Sequence, residues 1–191
     1  PMTAPVKKTR EVPGKTPPPK PLSLTKLASV VAKHGLSLMR VKNLTQQLYD
    51  YKDEQGRAYL SYPRSEDTVI TTEQFNEILP TIDNYINLLG LAPAIFTHRT
   101  PRKTHVQDSA GHGALRPGAC IPESLEELDA KFGPGASIIY KTVTERFLLM
   151  FLEDTEWIRH EYETEGVDPV FKGSIKIITK QGVVDPDAEV D

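Results

Sequence analysis

Apolar positions recur along this chain at helical spacing through most of its length and at alternating spacing near its end. Leu27, Val30 and Val31 form a narrow stripe that predicts a helix from about Leu24 to His34. Ser23 or Thr25 can cap its start, and Gly35 suits its stop. A second helix is predicted after Ser37, with Val41, Leu44 and Leu48 on one face. Two helices joined by a short glycine-containing turn make a helix-turn-helix pattern. The second helix carries Arg40 and Lys42 at one end and Gln46 and Gln47 further along. Such a pair can bind DNA or simply pack as a helical hairpin, and the pattern serves both readings.

Gly56 then marks a polar turn, and Ala58-Tyr59-Leu60-Ser61 is expected to be a strand, so the arrangement is winged-helix-like. Thr71 and Gln74 stand at capping-box spacing before another helix, whose apolar face is Phe75, Ile78, Leu79, Ile82 and Ile86. Pro80 is expected to kink or split it, because proline lacks the N–H that a helix interior needs. Gly90 to Arg102 holds prolines among apolar residues and reads as a partly buried loop. From Ser137 to about Glu153, Ile139, Val143, Phe147 and Phe151 recur roughly every four residues and predict a strong helix. Trp157 to Glu165 and Phe171 to Thr179 alternate, with Gly166 and Pro169 as turn signals, and predict two antiparallel strands. The beginning differs: residues 1–21 are rich in Pro and Lys, and Pro17 to Pro21 is expected to be polyproline II or extended. This stretch reads as a connector rather than a folded unit, with a proline-recognition ligand as the alternative. Residues 185–191 are acidic and expected to fray.

Composition narrows the class. A chain of 191 residues with 26% charged residues fits one sizeable or two small globular domains. No apolar run approaches the roughly 20 residues that span a membrane, and the start lacks a signal-peptide core. A single cysteine, Cys120, excludes an internal disulfide and a cysteine-only zinc cluster. A reducing, intracellular setting follows. The net charge of −3 is unevenly spread, with +7 over residues 1–50, −1 over 51–122 and −9 over 123–191. Such a chain attracts a polyanion at one end and repels it at the other, unless a basic linker and an acidic tail merely share a polypeptide.

The candidate chemistry begins at Leu60-Ser61-Tyr62-Pro63-Arg64-Ser65-Glu66. In extended geometry Tyr62 and Arg64 face the same side, and Pro63 biases Tyr62 away from the helical region. A guanidinium fork matches phosphate oxygens, and a phenol carries a covalent phosphoryl group if its pKa of about 10 is effectively lowered. A tyrosine in a strand is also an ordinary packing residue. A second region runs from His98 to Gly118 and contains Arg99, Arg102, Lys103, His105, His112 and Arg116. Gly111 and Gly113 flank His112, which permits close backbone approach to a ligand. The histidine spacing is irregular and argues against zinc. A basic loop contacting phosphates suits the composition, with a solvated loop as the alternative.

Taken in order, Pro21-Leu22-Ser23-Leu24-Thr25-Lys26-Leu27, Gln46-Gln47-Leu48-Tyr49, Tyr62-Pro63-Arg64-Ser65-Glu66, His112-Gly113-Ala114-Leu115-Arg116-Pro117-Gly118, and Tyr140 with Arg146-Phe147-Leu148 resemble the central part of type IA DNA topoisomerases, topoisomerase III-like members most closely. The resemblance extends from about Pro17 to about Gly182. It implies an α+β fold: a mostly helical winged-helix/CAP-like domain with a flanking helix and antiparallel strands from the gate region. The expected organisation is a connector over 1–21, a tyrosine-bearing domain over 22–135, and a helix plus two strands returning to the gate domain over 136–191.

By that resemblance Tyr62 attacks a phosphodiester of single-stranded DNA and forms a 5′-phosphotyrosyl link, so a second strand can pass before resealing. Arg64 stabilises charge on the phosphate, and His112 hydrogen-bonds it or assists proton movement. Arg116, Gln46, Ser65 and Lys42 are the expected DNA contacts. Magnesium is implied for the full-length enzyme, with its ligands in a Toprim domain outside this chain and no metal site within it. The implied partners are single-stranded DNA and the missing Toprim and gate domains of the same polypeptide, with no membrane, in a cytoplasmic, nucleoid-associated setting. Two positions depart from the family pattern. Glu66 replaces the usual Asp, and Gly118 replaces the usual Thr. Without a Toprim segment the chain is expected to bind DNA weakly and relax none. The alternatives are a non-catalytic winged-helix DNA-binding module, or an interaction domain whose acidic third docks a basic partner.

Overall fold

The computed structural model describes residues 3–183. The acidic end expected to fray, 185–191, lies outside them. The order of elements is β1 (Val6–Thr16), α1 (Leu24–Val31), α2 (Leu38–Asp50), α3 (Thr72–Ile78), α4 (Ile82–Leu88), α5 (Leu125–Phe132), α6 (Ala136–Leu148), β2 (Thr155–Thr164) and β3 (Lys172–Lys180). The fold is α+β, a small open antiparallel sheet flanked by helices, in keeping with a winged-helix-like arrangement.

The helices start where short polar side chains satisfy their first N–H groups. Ser23 accepts from Lys26, Ser37 from Arg40 and Ser124 from Glu127. Thr71 and Gln74 form a complete capping box. Each such cap stabilises its helix by about 1 kcal/mol. Gly35 takes the left-handed conformation, φ 77°, that ends the first helical segment. Pro80 sits in a single 3₁₀ turn, Leu79–Thr81, which divides α3 from α4. The helix α5 was not anticipated, although Ser124 and Glu127 stand at capping-box spacing. Its short length leaves little periodicity to read, and Leu128 is its one fully buried side chain.

Two apolar cores meet along α6. The first gathers Leu27, Val41, Leu44, Leu48, Tyr59, Leu60 and Leu115 against Ile139, Tyr140 and Val143. The second gathers Ile70, Phe75, Ile82, Tyr85, Phe96 and Ala114 against Phe147, Leu148 and Phe151. Serving both, α6 is buried on most of its circumference, which gives its sequence a strong apolar signal.

The strand expected at Ala58–Ser61 is reduced to one bridge, Leu60 with Pro117. Tyr59 and Leu60 instead direct their N–H groups to the Leu48 carbonyl at the end of α2, and Pro117 has no N–H to extend a ladder.

The beginning of the chain also differs from expectation. Residues 6–16 are not a lone connector but β1, paired antiparallel with β2 from Val6↔Thr164 to Thr16↔Thr155. The sheet order is β1-β2-β3, so β1 is an edge and tolerates Pro13. No apolar alternation announces this strand, in which Val6 and Val12 are the only aliphatic residues apart from Pro13. Every residue of β3 is exposed and every residue of β2 half-buried. Register is carried instead by cross-strand pairs: Lys15 with Glu156, Glu11 with His160, and Lys172 with Glu163. Trp157 lies across its partner Gly14, where a Cβ would stand 2.3 Å from the ring.

One loop grips the chain where it passes between helices and sheet. Arg102 pairs with Asp154 at 3.0 Å and donates to the carbonyls of Met150 and Leu152. His98 N–H donates to the Phe151 carbonyl, and Thr97 to Glu153. His105 is fully buried, with its ring against the Pro19 carbonyl at 3.2 Å.

Candidate nucleic-acid site around Tyr62

Residues 61–67 form no strand, and they bend at Pro63. The tyrosine segment packs instead along α2. Lys42, Gln46 and Tyr49 stand one helical turn apart on α2. The Tyr62 ring meets Tyr49 edge-on at 5.6 Å. Pro63, Arg64 and Glu66 line a groove of about 610 Å³ together with Lys42, Gln46, Leu24 and Thr25. The segment thus runs antiparallel along α2, from the Leu48 carbonyl past Tyr49 towards Lys42. It is fastened at its far end where Leu24 N–H donates to the Ser65 carbonyl and Thr25 Oγ1 to Glu66.

His112 comes from the opposite side. The bridge Leu60↔Pro117 and the bond from Ser61 N–H to the Arg116 carbonyl lay residues 116–117 antiparallel to residues 60–61, just before Tyr62. This brings the His112 ring to 4.6 Å from the Tyr62 ring, centroid to centroid. His112 is exposed, and Tyr62 is half-buried. Gly113 has φ 80° and no room for a side chain, since a Cβ would lie 2.3 Å from Gln74 Oε1.

The expected site residues therefore divide. Tyr62 and His112 are in contact. Arg64, Lys42 and Gln46 line the groove beside them, with Leu38 and Met39 as its exposed apolar wall. The Gln46 amide donates to Asp50 at 2.9 Å. Arg116 lies apart, in a small cleft of about 150 Å³ with Ser61, Gln74, Glu77 and Tyr85, and burial lowers its pKa. Ser65 is buried, and its hydroxyl accepts from Asp67 N–H at 3.2 Å.

Of the basic loop, Arg99 pairs with Asp83, while Arg102 and His105 hold the chain connections. Arg40 donates to the Pro134 carbonyl beyond α5. Four groups read as available to phosphates are thus engaged inside the fold. Sequence spacing also passed over Asp67, which accepts from Gly113 N–H at 2.9 Å. The signal available was the Ser65-x-Asp67 turn pattern.

Gly118 explains itself sterically. A Cβ there would lie 2.1 Å from the Ala58 carbonyl oxygen. The Gly118 carbonyl accepts from Tyr85 Oη at 2.6 Å, and burial pushes the Tyr85 phenol up to about 12. Among the described residues, no group of three or more His, Cys, Asp or Glu side chains could hold a metal ion. These residues do not fit a magnesium site. Among them, no helix is long and apolar enough to cross a membrane.

The helical core thus sets Tyr62 and His112 in contact beside a groove lined by Lys42, Gln46 and Arg64. The profile of the DNA topoisomerase family matches residues 2–185, and the chain belongs to that family, with a type IA-like fold over most of its length. None of the curated proteins matches the chain. Among solved structures, full-length topoisomerase I from Thermotoga maritima is similar in fold, with a TM-score of 0.52 at 19% identity. The similarity covers 90% of this chain and 27% of the Thermotoga chain, so the protein described here spans about a quarter of that relative.

Proposed function

We propose that this chain is the tyrosine-bearing part of a longer type IA topoisomerase, of the topoisomerase III-like kind its motifs resemble. In this reading Tyr62 Oη attacks the phosphorus of a phosphodiester in single-stranded DNA. The bond from phosphorus to the 3′ oxygen breaks, and a 5′-phosphotyrosyl link forms. The phenolic proton passes to His112, and the departing 3′ oxygen takes up a proton to become a hydroxyl. Reversal of the same step reseals the strand, so no nucleotide hydrolysis is needed. Arg64 neutralises charge on the scissile phosphate, while Lys42 and Gln46 hold the strand along α2. Magnesium ligands belong in this reading to a Toprim domain elsewhere in the polypeptide, and no step described here passes through the ion.

The observation that carries the reading is the Tyr62–His112 ring contact at 4.6 Å beside the groove lined by Arg64 and Lys42. The test incubates end-labelled single-stranded DNA with the longer polypeptide and magnesium, followed by rapid denaturation. A covalent adduct that Tyr62→Phe abolishes is the expected result. DNA binding without an adduct, unchanged by Tyr62→Phe, would make this a winged-helix binding module instead.

A further inference from the structure

We infer that Asp67 is the residue that sets the Tyr62–His112 geometry, a positioning role that rests on the reading of Tyr62 just given. The exposed His112 side chain is held through its backbone. Gln74 Nε2 donates to the His112 carbonyl at 3.2 Å, and the next N–H, of Gly113, donates to Asp67 Oδ2 at 2.9 Å. Gln74 is itself immobilised in the capping box of α3. Asp67 is immobilised by the turn in which its N–H donates to Ser65 Oγ. Gly111 also approaches Asp67 Oδ2, its Cβ position lying 3.6 Å away.

Asp67 thus ties the tyrosine's own segment to the residue next to His112, while Ser61 Oγ, accepting from Arg116 N–H at 3.1 Å, joins the two segments further from the histidine. The neighbouring carboxylate does not share this task. Glu66 is directed to the start of α1, where it accepts from Thr25 Oγ1 at 2.9 Å. The acidic residue supporting the histidine loop therefore lies one position beyond the one at which the family pattern carries its Asp. A carboxylate accepting a backbone N–H makes a charge-assisted hydrogen bond, stronger than a neutral one. Displacement of a catalytic group by about 1 Å costs on the order of 100-fold in rate.

The test uses Asp67→Ala, Asp67→Asn and Glu66→Gln. In the 191-residue chain, the NMR cross-peaks between the Tyr62 and His112 rings report the geometry without reference to catalysis. In the longer polypeptide, the rate of adduct formation reports its consequence. Asp67→Ala is expected to lose the ring cross-peaks and about 100-fold in adduct rate. Asp67→Asn keeps an acceptor oxygen and is expected to retain the cross-peaks and most of the rate. Glu66→Gln is expected to leave the cross-peaks unchanged. Retention of both cross-peaks and rate in Asp67→Ala would overturn the inference, as would loss of Tyr62–His112 contact in Glu66→Gln. If the contact depends on Asp67 while no adduct forms even in the unsubstituted protein, the positioning stands and the catalytic reading of Tyr62 fails. Should Asp67→Ala unfold, Asp67→Asn and Gln74→Glu decide. Gln74→Glu removes the donor to the His112 carbonyl, and with Asp67 intact the cross-peaks should weaken but persist. Their complete loss would assign the positioning to Gln74 and overturn the role of Asp67.

Discussion

The rings of Tyr62 and His112 stand 4.6 Å apart, tilted 46° to one another, although they belong to segments separated by α3, α4 and a long loop. A tyrosine packed only for burial would be enclosed by apolar side chains. Tyr62 instead lies half-buried between Tyr49 and an exposed imidazole. Removing that imidazole should slow proton transfer in the cleavage step. We expect His112→Ala to lower the rate of adduct formation by about 100- to 10,000-fold, the usual scale for a general acid or base. DNA affinity should change much less, and an equal loss of both would assign His112 to binding.

The groove predicts a salt signature. Each phosphate contact releases counterions, so losing one contact to single-stranded DNA should reduce the slope of log K against log salt by about 0.7. Lys42→Ala and Arg64→Ala are each expected to do so. Arg102→Ala should leave the slope unchanged, because its guanidinium is spent on Asp154 and the carbonyls of Met150 and Leu152. Its cost should appear in stability, at about 2–4 kcal/mol in urea denaturation, since two carbonyls and a partly buried carboxylate lose their donor.

Gly118 offers a steric test. Restoring the threonine usual at this position in the family would drive a side chain into the Ala58 carbonyl oxygen, 2.1 Å from the Cβ position. Gly118→Ala alone should destabilise the chain by about 1–3 kcal/mol, the usual cost of forcing extra volume into a packed site. A denaturation midpoint unmoved by the alanine would mean that the 58–60 and 117–118 segments separate easily.

His105 should make stability depend on pH. Burial lowers its pKa from the ordinary 6.5, because the folded environment penalises the charged ring. The unfolded chain therefore binds a proton more readily than the folded one. The stability tied to the neutral ring is fully present above pH 6.5 and is lost as pH falls through the lower folded value. Thermal melting of the wild type should decline across that acidic window. His105→Gln should flatten the decline, and an unchanged profile would place the titrating group elsewhere.

Much of the helical framework was legible in the sequence because it is local. Ser23, Ser37 and the Thr71–Gln74 box fix where helices begin, Gly35 and Pro80 where they stop, and each acts within a turn of itself. The strands β2 and β3 were legible from alternation. The strand β1 was not, because its partner lies at the other end of the chain and its own residues form no apolar face.

The ordered motifs around Tyr62 and His112 marked the family from the residues alone, since the types and spacing of chemical groups are properties of the sequence. Which cations remain open to a ligand is not such a property. Arg40, Arg99, Arg102 and His105 read like Arg64 and Lys42 in one dimension, yet the fold brings carbonyls and carboxylates to the first four and leaves the other two along the groove. The sequence by itself determined the helices other than α5, most of their caps and the candidate nucleophile. Tertiary structure alone decided that Tyr62 packs on Tyr49 of α2 while Arg64 lines the groove beside Lys42, and that Asp67 fastens the His112 loop. The physical reason is range: caps and periodicity act over a few residues, whereas ring contacts and ion pairs form only once distant segments have been packed together.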